Sequence, residues 1–338
     1  MLGSRILKFE GVSVKWSWTF IVGLSLLSQG VANASEKRDL RLPDEYELAG
    51  SSALGILNTG AAGASGVNAI QVNPALLVLN REYSVTASYH WPTEGRDLYR
   101  IGVVDGTTSR YAAAASFVGF QGDAEDSLAI LGRDSRVLRR ASLGVAYPFK
   151  WFALGGSLNY VEGLEPALGY QTVKDGLSLG VGAVAFLARS LKLGISAQNL
   201  NNSKVENFAP KYLKAGLSWT VVEKLLSFNL DYRERDRISL IEGSLSPIPG
   251  LDLDQQELKG LDGKEKMVFV GTKATVYNLM KFAANYGRSL EEEDERAAMS
   301  ASLGVYQNQY SFVYTVSRPH MDYSDLQTAL TLQVFMKI

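Results

Sequence analysis

The sequence predicts an all-β protein, a transmembrane antiparallel β-barrel of about 14 strands with an N-terminal hatch inside its lumen. Three observations support this prediction. Segments of alternating apolar and polar residues follow one another from Glu82 onward, their connections are short and long in turn, and aromatic residues gather near the segment ends. These features divide the chain into a signal peptide (1–34), a hatch segment (35–81) and the barrel (82–338).

The composition of the 338 residues argues against several functions. The formal net charge of −1 gives no reason to expect nucleic acid as a partner. Because the chain has no cysteine, disulfides and thiol catalysis are excluded. The two histidines, His90 and His320, lack metal-ligand spacing, and no catalytic triad or phosphate-binding motif is visible. We therefore expect a protein that is not an enzyme, with no catalytic residue, cofactor or metal site.

The amino-terminal residues have the pattern of a signal peptide. Basic residues precede a short apolar run at 19–27, and Ala32-Asn33-Ala34 then fits the small-x-small cleavage rule. The alternative is a membrane-spanning anchor, but such an anchor needs about 20 apolar residues and this run is shorter. We expect the chain to be exported.

The segments after Glu82 alternate with a period of two, which is typical of strands with one apolar and one polar face. At 191–198, leucine, isoleucine and alanine share one face, whereas lysine, glycine, serine and glutamine share the other. The predicted strands are 82–91, 97–104, 110–119, 139–147, 152–161, 176–188, 191–200, 211–220, 225–234, 265–275, 279–287, 296–305, 309–317 and 326–336.

The lengths of the connections indicate a barrel. Connections after even-numbered strands are short, whereas those after odd-numbered strands are usually longer, for example 120–138, 162–175, 201–210, 235–264 and 288–295. Short turns on one rim and long loops on the other are the layout of an outer-membrane barrel with both chain ends in the periplasm. A soluble β-sandwich also alternates, but it would not sort its loop lengths in this way.

Aromatic residues and the composition of the polar face also favour a barrel over a sandwich. Aromatic side chains prefer the headgroup level of a membrane, so a barrel is expected to carry two aromatic girdles. The polar face is rich in glycine, serine and threonine, which would make a poor protein core. The girdle residues are Tyr147, Phe149, Trp151, Phe152, Trp219, Tyr277, Tyr306 and Tyr310 at the short-turn rim, and Tyr89, Trp91, Tyr160, Tyr212 and Tyr232 toward the other.

The stretch 60–77 precedes the first strand and is small, uncharged and rich in glycine and alanine. Such a segment has little bulk and can fold back into a wide lumen, and its glycines permit turns with positive φ. Pro74 biases Asn73 toward an extended backbone and ends any helix there. The alternative is a flexible periplasmic leader. The predicted hatch and gating residues are Gly60, Gly63, Gly66, Asn73, Pro74 and Ala75.

At these residues the chain resembles the FadL-like outer-membrane barrels, a superfamily of long-chain fatty-acid and hydrocarbon transporters that includes PorV-like barrels. Gly60-Ala61-Ala62-Gly63-Ala64 and Asn73-Pro74-Ala75 match the family's hatch, and the stretches 147–160 and 191–201 are similar to one of its hairpins and one of its strand ends. The chain departs from the family at Ser65-Gly66, where an acidic pair is usual, and at Leu76, where glycine is usual.

The resemblance implies a passive channel in the outer membrane of a Gram-negative-type cell, which takes up or releases small hydrophobic molecules and is gated by the hatch. Its partners would be outer-membrane lipid, the solute and the outer-membrane assembly machinery, for which Phe335 stands in place of a terminal aromatic residue. The alternative is a PorV-like barrel that docks secreted proteins or a secretion apparatus, with 235–264 as the docking loop. The predicted lumen-facing residues are Lys192, Gln198, Asn229, Asp231, Arg233 and Lys273.

Overall fold

In a computed structural model of the chain, the fold is a closed β-barrel around a short internal segment. The structure describes residues 8–9, 12–13, 60–79, 81–91, 96–123, 135–167, 170–201, 205, 209–222, 225–236, 264–277, 279–290, 297–307, 309–318 and 327–336. The predicted signal peptide and the hatch residues 35–59 therefore lie outside the described residues, apart from an antiparallel pair of two-residue strands, Lys8–Phe9 and Val12–Ser13.

The described residues contain fourteen barrel strands, as the sequence predicts. They are β1 Tyr83–Trp91, β2 Arg96–Asp105, β3 Ala112–Asp123, β4 Ser135–Pro148, β5 Phe152–Ala167, β6 Tyr170–Ala188, β7 Leu191–Leu200, β8 Tyr212–Val222, β9 Leu226–Asp236, β10 Lys264–Val276, β11 Met280–Ser289, β12 Ala297–Tyr306, β13 Tyr310–Arg318 and β14 Gln327–Met336. Each strand pairs antiparallel with its neighbours in sequence, and β14 pairs with β1. This closure leaves no open sheet edge, which hydrocarbon would not tolerate.

The connections alternate in length much as predicted, with one error. The turns after even-numbered strands are short, for example 149–151, 189–190 and 277–279. The predicted loop 162–175 is wrong, because β5 and β6 continue through it and remain paired as far as Ala167 and Tyr170. The apolar alternation ends near 161, but a strand that extends beyond hydrocarbon needs no apolar face, and backbone pairing alone prolongs it.

The outer face of the barrel is apolar and the inner face is polar. Leu193 and Ile195 on β7 are 42% and 53% exposed, whereas the next residue, Ser196, is buried. Buried polar side chains include Ser88, Arg100, Arg140, Ser142, Asn159, Lys214, Asp231, Arg233, Thr315 and Thr331. This arrangement is the reverse of a water-soluble sandwich, and it fits a cylinder whose surface contacts lipid.

Aromatic side chains lie along the short-turn rim, where Trp151 and Tyr277 are the most exposed at 67% and 76%. The rings of Phe149 and Phe152 stack with their centroids 4.4 Å apart. The girdle assignment is wrong for Tyr212, which is only 4% exposed, and for Tyr306, whose ring lines an internal cavity. An aromatic residue near a strand end can face the lipid or the lumen. Its place in the alternation of side chains along the strand decides which.

The segment 60–79, called the plug below, lies inside the barrel. It contains two 3₁₀-helices, Gly66–Asn68 and Pro74–Leu79, and one turn of α-helix, Ala69–Val72. The α-helical turn ends before Asn73, whose φ of −161° is extended, as the following proline predicts. Among the described residues, no helix is long and apolar enough to cross a bilayer.

Candidate functional site

The plug fills the lumen against the wall formed by β2 to β8. Its side chains Ile70, Val72, Leu76 and Leu77 are buried, and they pack on inward-facing apolar residues near the short-turn rim. The wall residues in this cluster are Val104, Ala112, Ala114, Ala146, Ala153 and Val184. Most of these wall residues are alanine, so the wall side chains are small where the plug side chains are large. The contact is a small apolar core inside a polar lumen.

Inward-facing glycines form a groove for the plug backbone. A methyl group on Gly155 would overlap the backbone of Pro74 and Ala75, and one on Gly194 would overlap Ala61. Gly182 faces Asn73 in the same way. Gly155 pairs directly with Gly182 across β5 and β6, and Gly194 pairs with Gly216 across β7 and β8. Glycine in a strand interior marks a close backbone approach, and here that approach is the plug.

One carboxylate of the wall holds the start of the plug. The amides of Gly60 and Ala61 donate to the two carboxylate oxygens of Asp231, at 3.0 and 2.7 Å. Asp231 is 2% exposed, so both hydrogen bonds are shielded from water. Hydrogen bonds to a charged acceptor are shorter and stronger than neutral ones. Asp231 therefore ties the plug to β9.

Asn73 joins two parts of the plug to the wall. Its side-chain amide donates to the carbonyl of Ala61 at 2.6 Å and to that of Ala183 on β6 at 3.1 Å. Its side-chain oxygen accepts from the amide of Ala75 at 3.1 Å. Asn73 is fully buried, and a short side chain with both donors and an acceptor is what these three contacts require. The asparagine of the Asn-Pro-Ala tripeptide is thus a structural bridge.

Wall side chains also donate to plug carbonyls. Ser196 donates to Val72 at 2.7 Å, Tyr212 donates to Gln71, and Gln198 lies 3.4 Å from the carbonyl of Ile70. Arg100 on β2 donates to the side-chain oxygen of Asn68 at 2.6 Å and to the carbonyl of Val67 at 2.9 Å. These contacts come from β2, β7 and β8, so separate parts of the wall hold plug residues 67–72.

A β-bulge at the end of β7 turns two consecutive side chains inward. Between the pairs Leu179–Leu200 and Val181–Ala197 the register shifts, so that Gln198 and Asn199 together oppose Gly180. Both side chains are fully buried, and Asn199 has a φ of +56°. Gln198 faces the plug, whereas Asn199 donates to the carbonyl of Pro210 at 2.9 Å and accepts from Arg140 at 3.1 Å.

Two residues that follow this bulge, Val205 and Ala209, lie inside the lumen near the long-loop rim. Val205 and Ala209 are buried, and they cluster with inward-facing residues of β2 to β5. These wall residues are Leu98, Val118, Phe120, Leu138 and Val161. An apolar layer therefore lies on the long-loop side of the polar layer that contains Arg100 and Arg140.

We expect Asn199→Ala to destabilise the barrel by about 1–3 kcal/mol, since buried partners lose their hydrogen bonds and alanine strains a positive φ. Asn199→Gly avoids the backbone strain but still lacks the hydrogen bonds. Its loss of stability therefore measures the contribution of the side-chain contacts alone. Thermal unfolding in detergent measures both variants. Equal stability of Asn199→Ala and the parent chain would contradict the assigned contacts.

The predicted hatch residues all lie in the plug. Gly60 is held by Asp231, Gly63 packs beside Asn229, and Gly66 has a φ of +63°. Asn73, Pro74 and Ala75 are fully buried. Their contacts place them at the wall of β5 and β6.

The six predicted lumen-facing residues lie on inward strand positions but do not form one cluster. Asp231 and Gln198 contact the plug, and Asn229 is close to Gly63. Arg233 pairs with buried Glu265 at 3.1 Å, nearer the long-loop rim. Lys192 and Lys273 lie toward the short-turn rim, away from that ion pair. The predicted docking loop 235–264 lies outside the described residues except at its ends.

The sequence reading missed the wall glycines, Arg100, Ser196 and Asn199. A signal existed for the glycines, because Gly155, Gly182 and Gly194 occupy inward positions in strongly alternating strands, where glycine otherwise weakens a strand. No comparable signal exists for Arg100, since its contacts with the plug depend on tertiary packing.

The fold and the filled lumen define a class of protein: closed fourteen-stranded antiparallel barrels with an internal amino-terminal plug. No protein-family model and no curated protein matches the chain. Among solved structures, the chain is similar to the TodX deltaS2S3 mutant monoaromatic hydrocarbon channel, with 12% identity and a TM-score of 0.55 over 85% of this chain and 97% of that one. It is also similar to a Pseudomonas aeruginosa FadL homologue, with 10% identity and a TM-score of 0.54 over 87% and 98%.

At these identities the likeness is one of fold. The predicted resemblance to the FadL-like outer-membrane barrels is confirmed at that level, and the chain has their barrel architecture.

Proposed function

We propose that the protein is an outer-membrane channel for small hydrophobic molecules and that the plug is its gate. The observation that carries this proposal is the plug itself, which occupies the lumen on the side of the short-turn rim. A lumen bounded by fourteen strands is wider than one that its own side chains fill, so a separate segment is needed to close it. The structural neighbours, which carry the names of a hydrocarbon channel and a FadL homologue, support a transport role.

The distribution of lining residues supports an apolar solute. A molecule that enters from the long-loop rim meets the layer of Leu98, Val118, Phe120, Leu138 and Val161 before it reaches the plug. This layer binds apolar surface and is covered by Val205 and Ala209. The short-turn rim faces the periplasm in such barrels, so the plug lies between this layer and the cell interior.

The continuity of the wall favours movement of the plug over a lateral gap as the way out. Every neighbouring pair of the described strands is hydrogen-bonded, and shifts of register occur between β6 and β7 and between β8 and β9. A β-bulge of this kind bends a strand without parting it from its neighbour. A solute that leaves along the barrel axis must displace the plug.

Deletion of residues 60–77 tests the proposal. We expect the parent chain to conduct little in planar bilayers and the deletion variant to show a steady open current, because the lumen loses its filling segment. Uptake of a small apolar dye by cells that produce each variant should rise in parallel. Circular dichroism and heat-dependent gel mobility show whether the deleted chain still forms a barrel. A folded deletion variant with unchanged current and uptake would contradict gating by the plug.

A further inference from the structure

A cavity of about 110 Å³ lies beside the plug, on the side that the plug leaves unfilled. Plug residues 63–68 form one side of this cavity, and inward-facing residues of β10 to β14 and β1 form the other. The polar residues that line it are Ser65 and Asn68 of the plug and, from the wall, Glu82, Thr86, Lys273, Lys281, Ser302, Tyr306, Thr331 and Gln333. It is called the lysine cavity below. The plug packs against β2 to β8, so this cavity lies on the opposite side of the plug, toward β10 to β14 and β1.

Two lysines line the lysine cavity, and a third lies nearby. Lys273 on β10 and Lys281 on β11 line it directly, and Lys192 on β7 lies close enough for its charge to act on Lys273. Within the part of the chain that the structure describes, the charged groups that act on Lys273 are these two ammonium groups. Like charges in a lumen of low dielectric constant repel one another, and an anion between them removes that repulsion.

The other polar groups in the cavity leave Lys273 available. Lys281 lies over the ring of Tyr306, with its ammonium nitrogen 3.7 Å from the ring centroid, and it faces the single carboxylate of the cavity, Glu82. Glu82 in turn accepts from the side-chain amide of Gln333 at 3.3 Å. Lys281 and Glu82 thus partly balance each other, whereas the charge of Lys273 is not balanced by any carboxylate of the described residues.

We propose that the lysine cavity binds a small oxyanion, a carboxylate or a phosphate, through Lys273 with support from Lys192 and Lys281. Rings of lysine select anions in pores, so the same site would make the lumen prefer anions when the plug moves. The cavity volume limits the ligand to about ten non-hydrogen atoms, since a single water molecule needs about 10–15 Å³ of cavity volume. The binding site stands by itself, whereas its role as a filter rests on the proposed channel function.

Crystals of the full chain grown with bromide test the site. We expect anomalous density beside the ammonium group of Lys273, absent in Lys273→Gln and retained in Lys266→Gln, a control on the outer face of the same strand. Added acetate or phosphate at constant ionic strength should displace the bromide, and the stronger competitor identifies the ligand chemistry. No density at Lys273 in the parent chain, or density that persists in Lys273→Gln, overturns the proposal. If Lys273→Gln does not fold, Lys192→Gln and Lys281→Gln should each weaken the density.

The pH dependence of bromide occupancy gives a second readout. Burial raises the pKa of the Glu82 carboxyl, while the charge of Lys281 and hydrogen bonds from Gln333 and Ser84 lower it in part. Glu82 therefore takes up a proton at a higher pH than an exposed glutamate does. Protonation removes the negative charge of the cavity, so occupancy should increase as the pH falls, and Glu82→Gln should reduce this increase. A bromide occupancy that decreases as the pH falls would count against the site.

Reversal potentials in planar bilayers separate the site from its role in transport. Under a potassium chloride gradient, the parent chain should prefer chloride, and Lys273→Gln should lose that preference. Bromide binding with no current in either the parent chain or the variant that lacks residues 60–77 would overturn the proposed channel while the site remains. A current without anion preference, in a chain that binds bromide, would overturn the filter alone.

Discussion

Gly155→Ala is expected to open the lumen, although it adds a single methyl group. That methyl would overlap the backbone of Pro74 and Ala75, and a backbone cannot move aside as a flexible side chain does. Overpacking of this kind costs about 1–3 kcal/mol, and the plug relieves it by leaving the groove, because the barrel strands are held by their ladders on both sides. We expect a large rise in single-channel current and in the exchange of plug amides with deuterium.

Gly156→Ala is the matched control for this prediction. Gly156 is the next residue on β5 and faces outward, and a methyl there would meet the carbonyl oxygen of Gly180 at 3.8 Å, an ordinary contact. The current and the exchange of this variant should equal those of the parent chain. If both variants behave alike, the effect reflects strand propensity and not the position of the plug.

Asp231→Ala is expected to release the start of the plug. It removes two buried hydrogen bonds and leaves the amides of Gly60 and Ala61 without their acceptor, at a cost of about 1–3 kcal/mol for each amide. A loss of about 3 kcal/mol corresponds to a rise of about 100-fold in the opening equilibrium. Hydrogen exchange at Gly60 and Ala61, followed by mass spectrometry, measures this rise.

Two further variants separate the loss of the Asp231 contact with the plug from general destabilisation of the barrel. Asp231→Asn keeps the shape and one acceptor oxygen, so its exchange should lie between those of the parent chain and Asp231→Ala. Asp175→Ala removes an outward-facing carboxylate that accepts from Tyr160, and it should leave plug exchange unchanged. Exchange at Gly60 that does not respond to Asp231→Ala would show that other contacts hold this end of the plug.

The strand pattern was predictable because the period of two is a local property. Every strand from β1 to β14 matches a predicted segment, and β7 has the predicted bounds of 191–200. The assignment failed where the environment changed along one strand, as at 162–175, since pairing continues there without the apolar face that marked the rest. It failed again at Tyr212, where the type of residue was given more weight than its parity in the alternation.

The bulge at Gln198 and Asn199 shows why the site was harder to predict. The stretch 191–201 was singled out only through its resemblance to a family, and strict alternation would place Gln198 and Asn199 on opposite faces. The register shift against β6 turns both side chains inward, so that one faces the plug and the other holds the segment near Pro210. Such a shift depends on how two strands pair and leaves no trace in the period of either.

The sequence by itself determined the number of strands, the apolar exterior and the presence of a small-residue segment ahead of the barrel, because lipid imposes the same alternation on every strand it contacts. Only the tertiary structure decided which strands that segment packs against and which side chains hold it. The bond from Gly60 to Asp231 spans 171 residues of sequence, and the glycine groove exists only once β5 to β8 are in register. Contacts between distant residues are set by closure of the cylinder, and no local pattern encodes them.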